Sequence, residues 1–191
     1  SIEFSILIGT FLSFLFYVPR AARLKTTELV LGRERVVRER QPDDPECGKI
    51  LILSLEGELF FGAAHELEER LTELRGRIDQ GVRVVVLSLK WARNPDMVCL
   101  EHLHRFVVRA HERKATVLLC GVRGDLSESL ARLGSHQWLP PDCVFREDAS
   151  VGSSTLQAVR RAYEILGTDL CPTCPRRNDV EKNQTGWYYV I

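Results

Sequence analysis

The sequence carries no surplus of either charge: 26 Lys and Arg stand against 26 Asp and Glu. No overall field draws in a polyanion, so nucleic acid is not an expected partner. There is no internal repeat and no low-complexity tract, which excludes solenoids and purely linker-like chains. No basic residue precedes Ile6, whereas a signal peptide carries its positive charge ahead of its apolar run. Of six cysteines, only Cys171 and Cys174 are neighbours in sequence. That excludes a disulfide framework and points to a reducing compartment. What is present is globular, with 45% apolar and 27% charged residues in a chain of 191. This is enough for one ordinary domain and something extra.

The extra part comes first. Residues 2–18 read IEFSILIGTFLSFLFYV. A helix of that length rises roughly 25 Å, against about 30 Å of bilayer hydrocarbon. Leu7, Ile8, Phe11, Leu12, Phe14, Leu15 and Phe16 cover every face, unlike a helix buried along one stripe. The expectation is a transmembrane helix, the last of several upstream, touching the lipid bilayer through residues 2–18. Arg20, Arg23 and Lys25 follow it. Positive charge there places residues 1–25 as a terminal membrane helix with a basic exit segment, and the remainder in the cytoplasm.

Residues 26–49 are charged, with two prolines and the Val36-Val37 pair, and read as a linker carrying one short edge strand. Residues 50–167 read as the domain. ILILSL at 50–55 is a strand. Ala63, Leu67, Leu71, Leu74 and Ile78 mark one face of a helix. VRVVVLSL at 82–89 is a nearly continuous apolar strand of the kind buried on both faces. A helix from Met97 to Arg113, a strand at 115–120, a short helix, a brief strand near Val144 and a final helix follow. Strands alternating with helices predict an α/β fold, a mostly parallel sheet flanked by helices. The tail, residues 168–191, has no period before its closing Trp187-Tyr188-Tyr189 and reads as flexible.

In such a sheet, binding residues gather beyond the carboxyl ends of the strands. Asn94, Pro95, Asp96 and Met97 form one such loop, and Asp96 directly precedes a helix. There its carboxylate can serve as an N-cap worth about 1 kcal/mol, as part of a recognition surface, or as both. Gly121, Arg123 and Gly124 are a second candidate loop, able to offer amides to an anion or nucleotide, though without P-loop or dinucleotide spacing. Glu101 and His104 have half the spacing of a carboxylate-bridged metal site. No second Glu-x-x-His completes it, and a solvated helix face is expected. Cys171 and Cys174 are the only metal candidates. They supply two thiols where tetrahedral zinc needs four ligands, and are expected as exposed tail cysteines without a fixed role.

The strand, polar loop, Asp96 and helix, set in this βαβαβα order, resemble the STAS domain. The stretch LIGTFLSFLFYVPRAARL resembles the last membrane helix and exit segment of a SulP anion transporter, a family that joins these parts in this order. The resemblance implies the regulatory or interaction domain of a membrane anion transporter for sulfate, bicarbonate or a related anion. It implies no enzymatic activity and no cofactor. The implied partners are the transporter's own membrane domain, a cytosolic regulatory protein and a second copy of the chain. Signalling STAS members carry a phosphorylatable Ser or Thr after the aspartate, where this sequence has Met97, Val98 and Cys99. The alternative, a membrane-anchored STAS signalling module that binds regulators, therefore lacks that switch.

Overall fold

The computed structural model describes residues 2–21, 23–32, 36–147, 153–172 and 174. Six strands form one sheet in the order β2-β1-β3-β4-β5-β6. They are β1 (Lys25–Leu31), β2 (Val37–Glu39), β3 (Ile50–Glu58), β4 (Val84–Arg93), β5 (Thr116–Val122) and β6 (Val144–Arg146). β3 to β6 run parallel. β1 is antiparallel to both β2 and β3, so the sheet is mixed. The stretch read as a linker with one edge strand thus contributes two strands to the sheet. Their alternation is half-polar and short, which gave little apolar signal to read.

Among the described residues five α-helices accompany the sheet: α1 (Ile2–Ala21), α2 (Ala64–Asp79), α3 (Met97–Glu112), α4 (Gly124–Arg132) and α5 (Ser154–Leu166). Leu53, Leu55, Leu87 and Leu89 face Leu67, Leu71, Leu100 and Leu103 of α2 and α3. On the opposite face Ile50 and Ile52 meet Tyr163 of α5. Covering both faces explains why β4 reads as an unbroken apolar run. Each buried Leu or Val there contributes about 1.5–3 kcal/mol relative to exposure. The predicted face of α2 is buried as expected, and α3 buries Cys99, Leu100, Leu103, Phe106, Val107 and Ala110.

β3 and β4 run further than their apolar runs. β3 continues through Gly57 at a φ of 133°, and β4 continues through a register shift opposite Ser54 and Glu56. That shift is a β-bulge, one additional residue on β4.

α1 stands apart from the core. Ile2, Phe4, Leu7, Phe11, Phe14 and Phe16 are all exposed. The expected transmembrane helix is not borne out: among the described residues no helix is long and apolar enough to cross a membrane. The helix has 20 residues, but Glu3, Ser5, Thr10 and Ser13 interrupt its apolar part. The exposed reading of Cys171 and Cys174 is corrected too. Cys171 and Cys174 are buried, at 7% and 6% exposure, because the segment after α5 folds back toward β3. Residues 175–191, including Trp187-Tyr188-Tyr189, lie outside the described residues.

Candidate functional site

The ends of β3 and β4 build the first site. The Leu59 amide donates to Arg93 O at 2.7 Å, and the Asp96 amide donates to Leu59 O at 2.8 Å. These two bonds staple the loop after β4 to the loop after β3. Asn94 takes a φ of 48°, a left-handed conformation that asparagine tolerates better than most residues. Its side-chain amide reaches Glu58 Oε2 at 2.5 Å. Asp96 is extended, and its Oδ1 accepts the Cys99 amide at 3.0 Å, making it the N-cap of α3. The cap reading of Asp96 is thus realised, and the same bonds fix Met97 at the rim.

The surface so built sets exposed apolar side chains beside the Asp96 cap. Phe61, in the 3-10 turn Phe61–Ala63, is 70% exposed; Met97 is 50% and Val98 45% exposed. Phe60 props Phe61 edge-on at 5.4 Å. Beneath them Cys99 donates its thiol to Phe60 O at 3.2 Å. Burial, with the Asp96 charge second, pushes that thiol up to about 12, so it is a packing group rather than a nucleophile. Sequence reasoning missed Phe61, whose only signal was an aromatic pair after a strand.

α1 enters at this same end of the domain. Its root is tied down: the Leu24 amide donates to Glu66 Oε2 at 3.1 Å, and Leu24 is buried. A side chain at Gly57 would meet Arg23 O and Leu24 Cδ2 at 3.0 Å each, so glycine there lets the incoming chain pass. The end of α1 lies against the 3-10 turn that carries Phe61.

The second candidate loop is placed differently. Gly121 lies inside β5, not beyond it. Its amide donates to Ser154 Oγ at 3.0 Å. Ser154 in turn donates to Glu147 Oε2 at 2.6 Å, and Lys90 Nζ pairs with Glu147 Oε1 at 3.1 Å. A carboxylate of the protein itself therefore fills the neighbourhood where an anion was expected. Arg123 precedes α4 and lies 3.8 Å from Asp125, and Gly124 opens that helix. Neither is brought to the Asn94–Met97 loop by any contact described.

The helix histidines are occupied singly. His104 packs on Trp138 with ring centres 4.5 Å apart, and His102 faces Glu68 at 3.7 Å. Among the described residues no group of three His, Cys, Asp or Glu is arranged to hold a metal.

The sequence family described as the STAS domain matches residues 41–147. The chain belongs to the STAS domain family. The matched residues include the Asn94–Met97 loop and the α3 helix that follows it. Among solved structures the STAS chain is similar to murine solute carrier 26 family member A9, an anion transporter in the inward-facing state. The two share 12% identity and a TM-score of 0.69 over 86% of this chain and 26% of that one. A sulfate transporter family protein from Wolinella succinogenes shares 24% identity and a TM-score of 0.50 over 62% and 88%. An anti-sigma factor antagonist from Mycobacterium paratuberculosis shares 16% identity and a TM-score of 0.47 over 73% and 96%. The STAS chain spans about a quarter of the length of the murine transporter. No curated protein matches it by sequence.

Proposed function

We propose that this STAS chain is the cytosolic regulatory and interaction segment of a SulP-type anion transporter, and that it carries out no bond chemistry. The observation that carries this reading is where α1 joins. The helix with exposed apolar residues on all sides is rooted beside the loops after β3 and β4. Phe61, Met97 and Val98 are exposed at the end of the domain where α1 joins. Exposed apolar surface of this extent marks an interaction site. On this reading the cover is the transporter's membrane domain and the lipid around it, and α1 is the joining segment.

Two further observations support the reading. Similarity in shape to the murine transporter extends over 86% of the chain, more than residues 41–147 account for. And the position that would take a phosphate in a switch is Met97. A phosphate would bring about −1.5 to −2 charge to the helix start, and methionine cannot accept one. On this reading sulfate, bicarbonate or a dicarboxylate is moved by the transporter's membrane domain.

The test expresses the intact coding region in cells and measures uptake of labelled sulfate and bicarbonate. Membrane-spanning segments upstream of Ser1, uptake above control, and a several-fold fall with Met97→Glu or Phe61→Glu at equal surface abundance would support the proposal. An upstream region without membrane spans would overturn it in favour of an anchored signalling module. Uptake indifferent to both substitutions would remove the role of this surface.

A further inference from the structure

The sequence sets Cys171 beside Cys174, but the fold sets Cys171 beside Cys47. Cys47 stands in the approach to β3, where its Sγ accepts the Ile50 amide at 3.3 Å. Cys171 follows α5, 124 residues later, and its Sγ lies 3.8 Å from that of Cys47. Cys174 is drawn elsewhere, its thiol donating to Tyr163 Oη at 3.7 Å. Beside the two sulfurs, Lys49 Nζ meets Asp169 Oδ2 at 2.8 Å. The two chain segments are thus already held side by side by a charge-assisted bond. A cavity bordered by Leu31, Pro45, Tyr163 and the cysteines gives the sulfurs room to turn.

A disulfide requires the sulfurs to close to about 2.05 Å, a movement that side-chain rotation supplies when the backbones are already adjacent. A zinc site would need further ligands, and no group of three is so arranged among the described residues. We propose that Cys47 and Cys171 form a reversible disulfide that clamps the segment after α5 to the approach of β3.

The oxidant is a low-molecular-weight disulfide, RSSR. Cys47 is the less buried of the two and is the thiol such a molecule reaches. Its thiolate attacks one sulfur of RSSR, forming a mixed disulfide and expelling RS⁻. The Cys171 thiolate then attacks the Cys47 sulfur and expels the second RS⁻. Two electrons pass to RSSR, and the two thiol protons end on two RSH. Burial pushes the Cys47 thiol up to about 11, so this exchange is slow at neutral pH and the product, once made, is sheltered.

The test incubates the full chain in oxidised glutathione, alkylates the remaining thiols and maps the tryptic peptides without reduction. The expected result is a peptide containing Cys47 joined to the one containing Cys171, with Cys174 alkylated. Cys174→Ser should leave that link intact, and Cys171→Ser should abolish it. Oxidation should raise the melting temperature by roughly 5–15 °C, reversed by a dithiol reductant. A Cys171–Cys174 link, or Cys47 and Cys171 both alkylated after prolonged oxidation, would overturn the proposal. So would stoichiometric zinc on the protein as purified that protects the three thiols together.

Discussion

Replacing Gly121 by alanine should destabilise the domain more than its small size implies. Gly121 has a φ of 68°, and a Cβ built on it would sit 2.5 Å from Lys90 N and 2.7 Å from Lys90 Cα. The left-handed backbone costs a residue with a Cβ about 1–2 kcal/mol. The clash is with backbone, not with the end of a flexible side chain, so the strands must part, at about 1–3 kcal/mol for overpacking. Together these remove about 2–5 kcal/mol from a total that for most domains is about 5–15 kcal/mol. At about 2–4 °C per kcal/mol for a chain of this size, the melting temperature should fall by roughly 5–20 °C. The assay is thermal unfolding of the full chain in mild detergent, followed by circular dichroism. Gly124→Ala is the control: nothing lies within 4 Å of its added Cβ, and alanine in the first turn of α4 should leave stability unchanged or raise it by up to about 1 kcal/mol. A Gly121→Ala variant that melts within about 2 °C of the parent would refute the close-packing argument.

Asp96→Ala should lower stability by about 1 kcal/mol through loss of the bond to the Cys99 amide, while Asp96→Asn should be nearly neutral, since asparagine caps as well as aspartate. Chemical denaturation of the two variants checks this, and an equal loss in both would mean that the charge, not the bond, supports α3. Arg38 holds Asp44 through bonds of 2.5 and 2.6 Å, keeping its carboxyl at about 2 against an ordinary 3.8. A carboxyl depressed on folding stabilises the fold above its unfolded value, and that stabilisation drains away as pH falls from about 4 to about 2. Urea midpoints measured across that range should drop more steeply for the parent than for Arg38→Gln. Parallel curves would show the pair to be without effect.

The helix faces and the cap were legible because they are local. Leu67, Leu71 and Leu74 recur at helical spacing, and Asp96 stands at a strand-to-helix boundary where free amides need an acceptor. The alternation of strands and helices in residues 50–167 followed from the same local signals. What stayed hidden depends on distant chain segments. Lys25–Leu31 became a strand by pairing with β3, not by any apolar run of its own. Gly121 looked like a loop residue because nothing in its neighbours announces the backbone of Lys90 beside it. Cys171 looked exposed because Cys47, which lies against it, is 124 residues away in sequence.

The additional residue in β4 acts on side chains as a frameshift acts on codons. Before it, Ser54 is matched with Ser88; after it, Glu56 is matched with Trp91 and Gly57 with Ala92. Odd-numbered positions of β4 that had pointed toward α2 and α3 exchange sides with even-numbered ones. The small Ala92, 4% exposed, turns inward, and the indole of Trp91 turns out to water. Uninterrupted parity would drive that indole into a space filled by a methyl group and leave the alanine outside. One inserted position thus decides which residues of the last turn before Asn94 are core and which are surface.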